Sequence, residues 1–242
     1  MNGYGRGFFN MTPVVKNIIL VNAVMFVAYW IGVRAFNIDL RGILGIYFPL
    51  SDSFRPIQII SHMFMHADIM HIFFNMYALF IFGQALENVW GPKRFLIYYL
   101  VTGLGAVLLH ESVIALEYSK LAKMLTPEAV QTVINEGVSG EYGNVVMQAL
   151  QNLLNTPTIG ASGAVFGILL AFGVLFPNTQ LMIIFPPIPI KAKYFVIIYG
   201  VIELVLAFGQ PGSNVAHFAH LGGMLFGYLM LRYWRKTTTT LY

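Results

Sequence analysis

At 242 residues, 57% of them hydrophobic and only 10% charged, the chain carries too much apolar side chain for an ordinary water-soluble domain. The absence of cysteine excludes disulfides, thiolate-bound zinc and a cysteine nucleophile. The formal net charge of +4 comes from Lys and Arg scattered between apolar runs, which reads as membrane-flanking charge and not as a nucleic-acid surface.

Residues 1–16 are polar and Gly-rich and read as a cytoplasmic N-terminal segment, with no removable leader. The first apolar run, 17–34, is long enough to span, since about 20 residues rising 1.5 Å each cross a 30 Å core. Residues 35–69 are too apolar for a free linker and too interrupted to span, so an interfacial outer loop is expected. Second and third spans follow at 70–89 and 94–113, parted by Trp90-Gly91-Pro92. Residues 115–157 break the pattern. Thr126-Pro127-Glu128 is a helix start, Gly137 a stop, and Val146, Leu150, Leu153 and Leu154 recur at helical spacing over 144–154. Neither helix is long enough to cross, so the pair is expected as an amphipathic insertion lying on one face of the membrane.

The fourth span is placed at 158–176. Phe185-Pro186-Pro187-Ile188-Pro189 cannot be helical throughout. The fifth span follows at 194–209, a turn at Gln210-Pro211-Gly212-Ser213 comes next, and the sixth covers 215–233. The fold class is therefore an all-α membrane protein with six transmembrane helices. Its membrane domain covers 17–234 and a cytoplasmic tail 235–242. Arg6, Lys16, Lys93, Arg94, Lys191, Lys193, Arg232, Arg235 and Lys236 collect on one face, against Arg34, Arg41, Arg55, Lys120 and Lys123 on the other. That asymmetry puts both termini in the cytoplasm of a multi-pass protein, expected in a bacterial cell membrane.

This orientation gathers four polar residues in the outer half. Ser162 lies about four residues into the fourth span, roughly 6 Å along a helix. His220 lies about five residues into the sixth, while His71 and Asn75 share one face at the start of the second. Polar side chains at that depth are costly unless they face a cavity and have a role. Gly163 and Gly167 make a small-residue stripe beside Ser162, and Ala219, Gly223 and Gly227 make another beside His220. Two such stripes let backbones approach closely, as a direct Ser–His hydrogen bond requires. Periodicity alone leaves His217 as an equal candidate for the base. His62 and His66 have i, i+4 spacing, but no HExxH and no acidic partner completes a metal site. Glu203, in mid-span, reads as a neutral or hydrogen-bonded buried carboxyl.

Gly160-Ala161-Ser162-Gly163, His71-Ile72-Phe73-Phe74-Asn75 and Ala219-His220-Leu221-Gly222-Gly223 resemble the three signatures of rhomboid intramembrane serine proteases, in family order on the second, fourth and sixth spans. Phe54-Arg55, the run Ser61-His62 through His66 to His71, and Gly83 with Glu87 extend the resemblance over residues 54–234. The 115–157 insertion is longer than in the simplest members. The resemblance implies Ser162 as nucleophile and His220, not His217, as general base; His217 would be dispensable. It implies a dyad, an oxyanion hole of His71, Asn75 and the Ser162 backbone N–H, and support from Gly160, Gly163 and Phe166. The implied activity is hydrolysis of transmembrane protein substrates from within membrane lipid, without cofactor, metal or nucleic acid. The fifth span, bearing Phe195, Tyr199 and Phe208 without a small-residue stripe, is the candidate substrate gate, with the 210–213 turn as hinge. A catalytically inactive binder of membrane segments and a transporter are the competing classes. Intact Ser162 and His220 argue against the first, and the lack of inverted repeats against the second. Oligomeric state and substrate identity are left open.

Overall fold

The computed structural model describes residues 11–182, 188–209 and 216–237. The N-terminal segment up to residue 10, Phe185-Pro186-Pro187, the 210–213 turn and the end of the tail lie outside the described residues. The described elements are α1 (Pro13–Ile31), α2 (Leu40–Leu44), α3 (Gln58–Ser61), α4 (Ile69–Ala78), α5 (Gln84–Ala122), α6 (Pro127–Glu136), α7 (Val145–Asn155), α8 (Ser162–Leu175), β1 (Gln180–Met182), β2 (Pro189–Lys191), α9 (Ala192–Gly209) and α10 (His217–Thr237). Single π-helical turns continue α1 over Gly32–Phe36 and join α4 to α5 over Leu79–Gly83.

Among the described residues, three helical runs are long and apolar enough to cross a membrane: Pro13–Phe36, Ile69–Ala122 and Ala192–Gly209. The second run is not one rod. Gly91 has φ 76° and ψ 165°, outside the helical region, with Pro92 next. A Cβ on Gly83 would lie 3.2 Å from the Phe95 ring. Twelve residues along an unbroken helix would separate them by roughly 18 Å. The chain therefore doubles back at Gly91-Pro92, as the breaker residues predict. The third rod overshoots its expected end at residue 113 and continues to Ala122.

α8, α10 and the second half of α5 form the centre. α8 buries Ala164, Ile168, Ala171 and Leu175 in the main core, with Phe95, Tyr98, Tyr99 and Leu231 around them. The two small-residue stripes meet here. A Cβ on Gly223 would overlap the Gly163 carbonyl, and one on Gly167 would lie 3.0 Å from the Gly223 carbonyl oxygen. By contrast, α1 and α9 leave large apolar side chains exposed, among them Leu20, Val24, Val27, Val201, Val205 and Phe208. Helix faces of that kind suit lipid rather than water.

Glu87 ties the first rod to the second. Its carboxylate accepts from the Val14 and Val15 N–H groups, each at 2.9 Å, at the N-terminus of α1. Those donors have no partner inside their own helix, and a negative charge suits the positive end of the helix dipole. Glu87→Gln keeps the shape but turns an N–H donor toward one of them. It is expected to lower stability by about 1.5–3 kcal/mol, the worth of a hydrogen bond to a charged group. A thermal midpoint in detergent equal to that of the wild type would refute the capping role.

The insertion forms the two expected helices. α6 and α7 begin and end close to the predicted bounds, capped by the Thr126 hydroxyl and the Asn144 side chain. Protein packs against their apolar faces. Val133, Leu150 and Leu154 form a second core with Phe48 of the first loop and with Ile114, Tyr118 and Leu121 of α5. The overshoot of α5 supplies the surface that covers them. Amphipathicity shows in a sequence, but not whether protein or lipid covers the apolar face.

The first loop is fastened rather than floating. Buried Gln58 donates to the carbonyls of Ile43 (3.1 Å) and Ser53 (2.9 Å) and accepts from the Arg55 N–H at 3.0 Å. Ile46 and Thr158 exchange backbone hydrogen bonds of 3.0 and 2.8 Å in an isolated antiparallel bridge. This bridge fixes the chain four residues before Ser162. A short antiparallel pair, β1 with β2, precedes α9; no alternation of residues marks it as strand.

Candidate active site

The bridge at Thr158 keeps the following residues out of helical geometry. Gly160 has φ 126°, a conformation that L side chains rarely adopt, and its N–H donates to the His62 carbonyl at 2.9 Å. α8 starts only at Ser162. Ser162 is thus the first helical residue and not four residues inside a span, a correction to the expected start at 158. Its backbone N–H belongs to the orphan donors at a helix N-terminus. α8 has 14 residues, roughly 21 Å of helix, shorter than a hydrocarbon core.

His220 stands in the first turn of α10 and is buried. Its Nε2 lies 2.8 Å from Ser162 Oγ. The Phe166 ring, one turn along α8, stacks on the imidazole with centroids 4.2 Å apart and planes within 7°. Backbone contact between the Gly163 and Gly223 stripes brings α8 and α10 close enough for this short bond. His217 does not take that place; its Nδ1 hydrogen-bonds Glu203 Oε2 at 2.7 Å.

α4 supplies the polar groups on the other side. The Asp68 carboxylate caps it by accepting from the His71 N–H at 2.9 Å. The Ala67 N–H donates to His71 Nδ1 at 3.3 Å, so a neutral His71 carries its proton on Nε2. That nitrogen is turned toward the serine loop: a Cβ on Gly160 would lie 2.9 Å from His71 Nε2 and 3.7 Å from Ser162 Oγ. Asn75 is buried and donates one N–H to the His71 carbonyl at 2.8 Å. Its second N–H is left for another acceptor.

His62 and His66 share no helix face, because the single 3₁₀ turn His62–Phe64 gives way to extended backbone at Met65. Their i, i+4 spacing therefore has no structural meaning. Burial pushes the His62 imidazole below its ordinary pKa. Burial, with the His71 ring beside it, holds His66 down to about 3. Both are neutral at physiological pH and add no cation near Ser162. A cavity of about 20 Å³, bounded by His62, Thr158, Gly160 and Ser162, adjoins the serine. It has room for about one water molecule.

The sequence reading missed the acidic neighbour of the histidines. Glu203 Oε2 lies 2.9 Å from His220 Nδ1 as well as 2.7 Å from His217 Nδ1. Counting residues from span ends gives axial depth only and is blind to which helix faces meet. The mid-span carboxyl was the available signal. The ligand atoms of Glu203, His217 and His220 all lie within 4.8 Å of one another, a spacing that also suits a metal ion. Direct contacts of 2.7 and 2.9 Å are shorter, however, than the roughly 3.3 Å that tetrahedral zinc geometry sets between neighbouring ligands.

A model of the rhomboid domain matches residues 53–237. The chain belongs to the rhomboid family. Rhomboid protein 1, mitochondrial, of Saccharomyces cerevisiae is 27% identical over 173 residues, covering 72% of this chain and 40% of the yeast protein. RHOMBOID-like protein 12, mitochondrial, of Arabidopsis thaliana is 28% identical over 214 residues, covering 87% of this chain and 55% of the plant protein. The putative rhomboid protease YdcA of Bacillus subtilis is 23% identical over 223 residues, covering 92% and 89% respectively. The chain thus spans about half the length of these mitochondrial relatives and nearly all of the bacterial one. Mitochondrial and bacterial proteins both stand among these relatives, so the similarity does not single out the bacterial cell membrane.

Proposed function

We propose that this rhomboid protein is an intramembrane serine endopeptidase that cleaves membrane-protein substrates within or beside their transmembrane segments. The observation that carries the reading is the 2.8 Å contact between Ser162 Oγ and His220 Nε2. A serine hydroxyl is a weak nucleophile until a base takes its proton. His220 is placed to do so as Oγ attacks the scissile carbonyl carbon. The resulting oxyanion is received by the Ser162 N–H, by His71 Nε2–H and by the free N–H of Asn75, in the positive field of the α8 N-terminus. The imidazolium then gives its proton to the leaving amine. Water, for which the cavity behind Ser162 offers a station, hydrolyses the acyl-enzyme with His220 again as base.

Six crossings, with both termini on the Lys- and Arg-rich side and the site opening to the other, complete the proposal. In a bacterial cell membrane that puts the termini in the cytoplasm. The short α8 supports a water-accessible serine, since its N-terminus need not reach deep into hydrocarbon. The exposed apolar face of α9 supports a lipid-side approach for substrate. The test pairs a fluorophosphonate probe with cleavage of a panel of single-span proteins. Wild type is expected to label and cleave, and Ser162→Ala to do neither. Binding of the panel without labelling or cleavage would support the inactive-binder reading instead.

A further inference from the structure

Glu203 belongs to none of the motifs read from the sequence. It is buried in mid-helix on α9, whose other faces are apolar. One oxygen, Oε2, meets Nδ1 of two histidines, at 2.7 Å for His217 and 2.9 Å for His220. The contact with His217 is a hydrogen bond, whereas that with His220 has ion-pair distance with poorer alignment. Loose alignment is common in catalytic pairs before substrate binds. His220 is also the histidine whose other nitrogen lies on Ser162 Oγ.

We infer that Glu203 is a positioning residue for the general base, so that the working unit is Ser162, His220 and Glu203 rather than the serine and histidine alone. The inference rests on the serine-hydrolase reading above. To accept the serine proton, Nε2 must present its lone pair, which puts the imidazole proton on Nδ1. A carboxylate oxygen at Nδ1 selects that tautomer, because the opposite one would set a lone pair against it. When Oγ–H gives its proton to Nε2, the carboxylate stabilises the imidazolium without taking the proton, which passes on to the leaving amine. His217 steadies the carboxylate from its far side and shares its charge, in place of the dispensable role the motif alone implied. The arrangement also joins α9 to α10 at the catalytic base. Four titratable groups face His220 among the described residues: Glu203 from α9, His217 from its own helix, His71 from α4 and His110 from α5.

The experiment follows labelling of Ser162 by a fluorophosphonate, and cleavage of a single-span substrate from pH 5 to 9, in the purified full chain. Glu203→Gln keeps the shape and loses the charge. It is expected to slow labelling and kcat by about 10²–10⁴-fold, with KM little changed and the acid limb of kcat/KM moved to lower pH. The direction follows because an imidazolium without its counter-charge loses its proton more readily. Glu203→Asp keeps the charge and is expected to hold the acid limb in place. His217→Leu leaves the carboxylate to His220 alone and is expected to move the limb to higher pH. Glu203→Gln with wild-type rate and limb overturns the inference. If Glu203→Gln does not fold, a limb unmoved in His217→Leu overturns it instead. Equal losses in Glu203→Gln and Glu203→Asp, with lowered Tm and no limb shift, assign a structural role and also overturn it. Labelled wild type beside an equally labelled Glu203→Gln defeats this inference alone. Unlabelled wild type defeats the hydrolase reading with it.

Discussion

His220→Ala is expected to reduce cleavage by roughly 10⁴-fold or more, and Ser162→Ala by as much. The double substitution is expected to cost little more than either alone. In the proposed mechanism the two side chains, 2.8 Å apart, act as one proton-transfer unit, so removing one member leaves the other with nothing to act on. Some catalysis over water persists, because the α8 N-terminus and the donors of α4 still polarise a bound carbonyl. The measurement is kcat/KM for the two single variants and the double variant on one membrane substrate. Additive losses would mean that serine and histidine act independently, and would remove the basis of the mechanism. Equal melting midpoints would establish that the losses are chemical.

Gly223→Ala is expected to cost activity about 10²-fold without touching a reacting group. A Cβ there would overlap the Gly163 carbonyl, which is backbone and cannot rotate aside. α8 and α10 must part, and parting carries Ser162 away from His220. A misplacement on the order of 1 Å is enough for a loss of that size, and overpacking itself costs about 1–3 kcal/mol. Two controls separate the mechanism from a general dislike of substitution. Gly143→Ala enters open space, with nothing within 4 Å of the added carbon. Gly200→Ala meets only the flexible end of Met224, at 3.1 Å. Both should label with the fluorophosphonate at the wild-type rate. Wild-type labelling by Gly223→Ala would show that the helices do not need backbone contact to hold the pair together.

Much of this protein is written locally. Apolar runs, breakers at Trp90-Gly91-Pro92, the Thr126-Pro127-Glu128 start and the spacing of Val146, Leu150 and Leu154 give the helices to within a few residues in most cases. All of these act over a turn or two of chain, so a linear reading finds them. The serine, the histidine, His71 and Asn75 were legible because short motifs mark them, and the glycine stripes show which helix faces can touch. What depends on partners remote in the chain was not legible. The start of α8 at Ser162 is set by a backbone bridge to Ile46 and by the His62 carbonyl, which hold Gly160 at a positive φ. The insertion's apolar faces pack on Phe48 and on an extended α5. Glu203 reaches two histidines 14 and 17 positions on because α9 and α10 meet on those faces. Propensity, capping and hydrophobic length are local, so the order of residues suffices for the apolar helices and for the residue types that could carry the chemistry. Where the serine helix begins, which residues pack on the insertion and which carboxylate meets His220 Nδ1 are contacts between surfaces that come together only when the bundle closes, so the chain's order alone could not set them.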